Sequence, residues 1–110
     1  MTTPDWLVPF AAIEAGVETD AQRAFVALRH GSMLALLYAP KGPDTQSPHR
    51  QDEIYIIQSG HGVFDKAGEK RAFGPGDVIF VEARAEHRFE DFSEDFAAWA
   101  VFWGPEGGEP

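Results

Sequence analysis

Residues 53–66 read EIYIIQSGHGVFDK, and this stretch decides the fold. Its first seven residues are rich in Ile and Tyr, which favour extended backbone on a half-buried sheet surface. The residues GHG at 60–62 then predict a tight turn, because glycine adopts the backbone angles that such turns require. Residues 53–59 and 63–66 are therefore predicted to be two short antiparallel strands.

Short apolar runs separated by glycine or proline turns continue in both directions from this hairpin. We predict six further strands, at residues 24–29, 33–38, 70–73, 78–81, 87–90 and 96–103. The loop at residues 39–48 contains three prolines and a glycine, which exclude regular structure there. Closely spaced short strands, with no useful helical stretch after residue 20, predict an all-β antiparallel sandwich or barrel of six to eight strands.

The chain has 110 residues, enough for one domain and too few for a second. We predict an N-terminal arm at residues 1–23 that packs on the barrel, the barrel itself at 24–103, and a flexible tail at 104–110. The arm is expected to be irregular, with a short helix at residues 11–15 as the alternative.

The composition argues against several classes of partner. Nine basic residues stand against 18 acidic ones, and the net charge of −9 makes nucleic acid and anionic membranes poor partners. Cysteine is absent, which excludes disulfides, thiolate ligands and a cysteine nucleophile. Neither a signal peptide nor an apolar run approaching a membrane span of about 20 residues is visible. We therefore expect a cytoplasmic protein.

Two predicted strands are apolar on both faces, which bears on assembly. Residues 96–103 (FAAWAVFW) and 33–38 (MLALLY) do not alternate between apolar and polar positions. A strand of this kind must be covered on both sides. The barrel interior covers one side, and the arm, a second sheet or a second subunit must cover the other; we hypothesise a homodimer.

Two histidines and a glutamate form the candidate metal site. His49 and Glu53 are four residues apart, so on an extended strand their side chains share a face, and Gln51 shares it too. His87 begins another predicted strand and is a candidate third ligand. Two His and one carboxylate suit Fe, Mn, Ni or Zn, and periodicity does not choose among them. The alternative is a surface ion pair between His49 and Glu53, with His87 an ordinary loop residue.

The other two histidines, His30 and His61, each lie beside a glycine in a predicted turn. We expect both to be exposed to solvent.

The sequence around these residues resembles the two motifs of the cupin superfamily. His49, Glu53 and Gly60 match the second histidine, the glutamate and the closing glycine of the first motif, G-x5-H-x-H-x(3,4)-E-x6-G. Gly76 and His87 are in register with the second motif, G-x5-P-x-G-x2-H-x3-N. The resemblance covers roughly residues 24–103. It implies a small single-domain cupin of the conserved-barrel (cupin 2-like) type: a jelly-roll barrel, or double-stranded β-helix, with a divalent ion inside.

The chain departs from these motifs at several positions. Ser47 stands where the first motif has its first histidine, which reduces the usual four ligands to three. Gln51, a water molecule or the weaker ligand Ser47 could fill the position. The second motif carries three further replacements, Glu82 for proline, Arg84 for glycine and Asp91 for asparagine.

Period-two spacing also predicts which side chains surround the ion. Tyr55 and Ile57 share the face of Glu53, and Phe89 shares that of His87. They either fill the barrel or form the wall of a pocket, in which Tyr55 would be the candidate catalytic hydroxyl. The small residues Ala98 and Ala100 are expected to leave room for a ligand.

Members of this superfamily share a fold and differ in activity, so the fold does not fix the function. The first hypothesis is a metal-dependent enzyme acting on a small organic molecule, of dioxygenase, isomerase or lyase type. The second is a non-catalytic module that binds or senses a small molecule. The third is a degenerate barrel that has lost its metal.

Overall fold

The computed structural model describes residues 6–110. Within that range one helix, α1 (Phe10–Thr19), precedes eight strands. The strands are β1 (Ala24–His30), β2 (Met33–Tyr38), β3 (Asp52–Ser59), β4 (Gly62–Lys66), β5 (Glu69–Phe73), β6 (Val78–Val81), β7 (His87–Glu90) and β8 (Ala97–Trp103).

The strands form two antiparallel sheets. The larger has five strands in the order β1-β2-β8-β3-β6, and the smaller has three in the order β5-β4-β7. This arrangement confirms the predicted antiparallel barrel, and each predicted strand end agrees with the observed one to within one residue. Agreement is this close because glycine and proline turns delimit almost every strand.

The core lies between the two sheets and is largely aromatic. On the inner face of the larger sheet, Tyr55 pairs with Ala100 and Ile57 with Ala98, so large side chains lie opposite small ones. The phenyl rings of the smaller sheet pack into the same cluster, and Phe89 lies 4.7 Å from Phe96 between ring centroids. Ala98 and Ala100 are buried in this cluster, so aromatic rings take up the space that the sequence suggested for a ligand.

Helix α1 covers part of the outer face of the larger sheet. Ile13 and Val17, one helical turn apart, are each 3% exposed and pack against Leu37, Ala39 and Ala97. The helix thus supplies one of the predicted covers. The expectation of an irregular arm is wrong for residues 10–19, and the helix is longer than the alternative at residues 11–15. The i, i+4 spacing of two buried side chains favours a continuous helix here.

The last residues are hydrogen-bonded to the sheet, where the sequence predicted a flexible tail. The amide of Gly107 donates to the carbonyl of Arg50 at 2.7 Å, and that of Glu109 donates to the carboxylate of Asp52 at 2.8 Å. The tail therefore runs beside the first residues of β3. The boundaries of arm, barrel and tail stay predictions.

The outer face of the larger sheet beyond the helix is apolar and exposed. Val78 and Phe80 on β6 are 64% and 49% exposed, and Ile56 on the neighbouring strand β3 is 37% exposed. None of the helical structure in residues 6–110 has the length and hydrophobicity needed to span a bilayer.

Gly60, the closing glycine of the first motif, is held in place by its surroundings. Its φ is +82°, and a Cβ atom there would lie 2.6 Å from the Cα of Phe96. We expect Gly60→Ala to lower the free energy of unfolding by about 2–4 kcal/mol, from left-handed backbone strain plus overpacking. Urea denaturation measures this.

Gly68→Ala is the matched control, because Gly68 has a φ of +92° with no atom within 4 Å of the added Cβ. It carries the backbone strain alone, about 1–2 kcal/mol. Equal losses in the two variants would contradict a steric role for the contact with Phe96.

The homodimer stays a prediction, and the exposed face makes it testable. If a second copy covers Val78 and Phe80, light scattering at micromolar concentration gives the mass of two chains. Phe80→Asp then yields a monomer, because an unpaired charge would be buried in the interface. Leu7→Asp, in the segment before α1 (63% exposed), is the control expected to leave the mass unchanged. A monomeric parent would defeat the hypothesis.

Candidate metal centre

Glu53 is the most unusual residue of the interior. Its side chain points inward from β3 and is 1% exposed, and among residues 6–110 neither carboxylate oxygen has a hydrogen-bond partner. A buried carboxylate without compensation is costly, because charge is poorly solvated away from water. Burial accordingly raises the pKa of Glu53 to about 8.

His87 faces Glu53 from the other sheet. It begins β7, and its Nε2 lies 3.5 Å from Oε1 of Glu53. Its Nδ1 lies 2.8 Å from the carbonyl oxygen of Ala85 and donates to it, which leaves a lone pair on Nε2. Burial lowers the pKa of His87, so the ring is neutral. A backbone carbonyl that fixes the tautomer is typical of metal-ligating histidines.

His49 completes the group from the loop before β3. Its Nε2 lies 3.7 Å from Oε1 of Glu53, and its side chain is 31% exposed. Burial, with a smaller contribution from nearby His87, lowers the pKa of His49. Each of the three residues offers a ligand atom, and these atoms lie within 4.8 Å of one another. The structure thus brings together the three residues that spacing and the motifs predicted.

A direct backbone hydrogen bond holds the two histidine-bearing segments together. The amide of Arg84 donates to the carbonyl of His49 at 2.6 Å. Arg84 has a φ of +69°, the left-handed conformation that favours glycine, and it occupies the glycine position of the second motif. Arg84 thus has the backbone conformation that the glycine of the motif would favour at this position.

Other predicted residues lie elsewhere. The amide nitrogen of Gln51 donates to the carbonyls of Ser32 and Gly104, at 3.0 and 2.9 Å, so Gln51 is not beside the site. Its prediction assumed a regular strand from residue 49, but β3 begins only at Asp52. Ser47 is exposed, and so are His30 and His61, as expected for turn histidines.

The predicted wall residues divide into one that touches the site and two that do not. The Tyr55 hydroxyl lies 3.1 Å from Nε2 of His87. Burial raises the pKa of Tyr55 well above its usual range, so this hydroxyl stays protonated, and it donates to Oε1 of Gln46 at 3.0 Å. Phe89 packs edge-on against the Tyr55 ring at 4.8 Å, and Ile57 is buried in the core.

Gln46 is a neighbour of the site that the sequence did not indicate. Its Oε1 lies 3.0 Å from Nε2 of His49 and 3.0 Å from the Tyr55 hydroxyl. Gln46 lies in the proline-rich loop, where no period assigns side chains to a face. The signal that could have found it is its position next to Ser47, the residue that replaces the missing histidine.

Two cavities of the described structure have none of the three candidate ligands among their lining residues. One of about 600 Å³ opens between β5 and β6 and is lined in part by Phe64 and Ile79. Another of about 410 Å³ lies against residues 42–44 and 88–92. Access to the three ligands is on the side of His49, the most exposed of them.

These residues fit a divalent cation. Two ligands each about 2.1 Å from an ion are about 3.0–3.4 Å apart at right or tetrahedral angles. The separations of 3.5 and 3.7 Å from Glu53 Oε1 to the two imidazoles need only a small contraction, and the widest separation in the group, within 4.8 Å, needs a shift of the more exposed His49 ring. A cation would also compensate the buried carboxylate, whose pKa stays raised to about 8 although the nearby Tyr55 hydroxyl partly offsets the effect of burial. The donor set of two imidazoles and one carboxylate suits iron, manganese, nickel or zinc.

Similar proteins share both sequence and fold. The uncharacterized protein SCO3923 of Streptomyces coelicolor is 37% identical over 81 residues, which are 72% of this chain and 77% of that protein. KdgF from a Halomonas species has a similar structure, with a TM-score of 0.65 and 19% identity, over 76% of this chain and 78% of that one. Protein NMB1881 from Neisseria meningitidis does too, with a TM-score of 0.64 and 18% identity, over 86% and 92%.

HppE in its Fe(II) form is a more distant structural relative. The TM-score is 0.55 at 15% identity, and the match covers 73% of this chain and 55% of HppE. At these identities the structural matches show the fold alone. Residues 36–103, from β2 to the end of β8, match the family described as Cupin domain. The chain therefore belongs to the cupin family.

Proposed function

We propose that this cupin is a metal-dependent enzyme that acts on a small organic molecule, with a divalent ion held by His49, Glu53 and His87. The observation that carries the proposal is the buried carboxylate of Glu53, which has no hydrogen-bond partner and lies between two neutral imidazoles. A barrel that had lost its metal would have little reason to retain that charge.

The donor groups beside the ligands indicate the kind of chemistry. A divalent ion would supply Lewis acidity toward a substrate oxygen. The hydroxyl of Tyr55, which donates to Oε1 of Gln46, lies at the same place and is a side-chain donor available to an atom bound there; its raised pKa keeps the proton on the oxygen before a substrate binds. Glu53 and both histidines would bind the ion, so Tyr55 is the side chain at the site that is left to act as general acid. This favours isomerase or lyase chemistry, in which a proton moves at an oxygen-bearing substrate.

The second candidate is a non-catalytic module that binds a small molecule. The aromatic packing around the site favours it, since Phe64, Phe89 and Phe102 occupy the interior near His49 and His87. A substrate must then approach from the side of His49. Expectations from composition, namely a cytoplasmic location and no nucleic-acid or membrane partner, stay predictions.

Metal content tests the site itself. Protein purified without a histidine tag should contain close to one ion per chain by plasma mass spectrometry. The His49→Ala, His87→Ala double variant should contain less than a tenth of that, because it loses both imidazoles. The His30→Ala, His61→Ala variant is the control, since both residues are exposed and neither belongs to the group of three ligands. A parent that is empty and resists reconstitution would rule out the metalloenzyme.

Tyr55→Phe separates the enzyme from the binding module. We expect the variant to keep its metal and to lose turnover by about 10²-fold or more on any substrate found in a metabolite panel, because the acid is removed. Unchanged turnover would exclude Tyr55 as the acid. Binding of a panel compound without turnover in the parent would favour the module.

The metal-free protein should lose stability as the pH rises. The folded-state pKa of Glu53 is raised from 4.5 to about 8, so between these values the folded state binds more protons than the unfolded state. Its free energy of unfolding therefore falls across this window, by a few kcal/mol in order of magnitude. Chemical denaturation in chelator at pH 5, 6, 7 and 8 measures the loss.

Glu53→Gln is the control for this titration. The pKa values of His49 and His87 are lowered, which gives an opposite slope near pH 6 in both proteins. The difference in free energy of unfolding between parent and variant reports the Glu53 carboxyl alone. As the pH rises, the variant should become more stable relative to the parent. A difference that is constant with pH would show that the Glu53 carboxyl does not titrate as described.

A further inference from the structure

The amide oxygen of Gln46 closes a ring of polar atoms around the candidate metal position. Going round the ring, the distances are 3.7 Å (Glu53–His49), 3.0 Å (His49–Gln46), 3.0 Å (Gln46–Tyr55), 3.1 Å (Tyr55–His87) and 3.5 Å (His87–Glu53). Each distance joins the side-chain atoms Glu53 Oε1, His49 Nε2, Gln46 Oε1, Tyr55 Oη and His87 Nε2. The two distances from Gln46 Oε1, both 3.0 Å, are therefore no longer than the distances of 3.5 and 3.7 Å between Glu53 and the two histidines.

The orientation of the Gln46 amide is fixed by Asp44. The amide nitrogen of Gln46 donates to Oδ2 of Asp44 at 2.8 Å. An ionised carboxylate only accepts hydrogen bonds, so the nitrogen must face Asp44 and the oxygen must face the ring. Oε1 of Gln46 accepts the hydrogen bond from the Tyr55 hydroxyl and keeps its second lone pair for an ion held within the ring.

Asp44 is itself held firmly. It is 6% exposed and accepts hydrogen bonds from the Tyr38 hydroxyl at 2.6 Å and the Phe89 amide at 2.8 Å. It also accepts from the backbone amide of Gln46 at 3.2 Å. The hydrogen bonds of Asp44 thus connect β2 and β7 with the loop that carries Gln46. They hold the carboxylate, and with it the Gln46 amide, in one position.

We propose that Gln46 is the fourth metal ligand, through Oε1, and that Asp44 is the positioning residue that directs it. Gln46 thereby supplies the donor that Ser47 cannot, from the adjacent position in the chain. The inference rests on the proposed function, because it requires an ion at His49, Glu53 and His87. An amide oxygen in place of an imidazole gives two nitrogen and two oxygen donors, a set that suits Mn²⁺ better than a three-histidine set does.

The experiment measures metal binding and ligand field, not activity. Mn²⁺ affinity is determined by competition with a chelating dye, and the visible absorption of the Co²⁺-loaded protein reports the coordination. We expect Gln46→Ala to weaken Mn²⁺ binding about 10–100-fold, the range seen when groups that act on metal ligands are removed, and to change the Co²⁺ spectrum. Asp44→Asn should weaken Mn²⁺ binding in the same direction, because its amide no longer fixes the orientation of Gln46.

Gln51→Ala is the matched control, since it removes the same side chain from the same region but from a residue bonded to Ser32 and Gly104. It should leave both the affinity and the spectrum unchanged. Gln46→Ala with parental affinity and spectrum would overturn the inference while leaving the three-ligand site intact. A parent that binds neither ion would instead overturn the proposed function.

A crystal structure of the parent loaded with Mn²⁺ provides a second measurement that does not depend on a variant's folding. A bond of about 2.0–2.3 Å from Oε1 of Gln46 to the ion supports the inference. A separation beyond about 3 Å, outside any bonding range, contradicts it.

Discussion

The carboxylate of Glu53, buried between two sheets without a hydrogen-bond partner, is the constraint on which the site depends. The groups nearest to it do not neutralise it: both imidazoles have lowered pKa values and the Tyr55 hydroxyl stays protonated. Without a cation, the folded chain must either keep Glu53 protonated or accept a buried charge. Divalent-metal binding is the arrangement that turns this unfavourable feature into a stabilising one.

The rest of the fold serves to hold donors around this carboxylate. Strand β3 presents Glu53 and Tyr55 on its inner face, and the second sheet presents His87 with its tautomer set by a backbone carbonyl. His49 and Gln46 come from the loop before β3, and two of the contacts that hold this loop act directly on them. One is the hydrogen bond from Arg84 to His49, and the other is the buried carboxylate of Asp44. Rigid strands and a tied loop together give the preorganisation that a metal site requires.

Much of the fold and three members of the site could be predicted from the sequence, because both follow from local rules. Turn residues delimit the strands, and the spacing of His49, Glu53 and His87 matches two known motifs. Gln51 was assigned wrongly because even spacing has meaning only inside a strand, and β3 begins after it. Gln46 and Asp44 could not be assigned to a face, since a proline-rich loop has no period. Arg84 has a φ of +69°, which could not be predicted because arginine is not a residue type that favours this left-handed conformation.

Within residues 6–110 no strand of one sheet forms a backbone hydrogen-bond ladder with a strand of the other. Apart from the loops that connect their strands, the two sheets are held together by side-chain packing. Glu53 belongs to the larger sheet and His87 to the smaller, so an ion bound between them would tie the two together as a disulfide ties two strands. The three-stranded sheet, whose strand β5 is mostly exposed, would then be held by its buried phenyl rings alone when metal is absent. Amide hydrogen exchange in β4, β5 and β7 would then be slow only with metal bound, because the ion would hold the smaller sheet against the larger one.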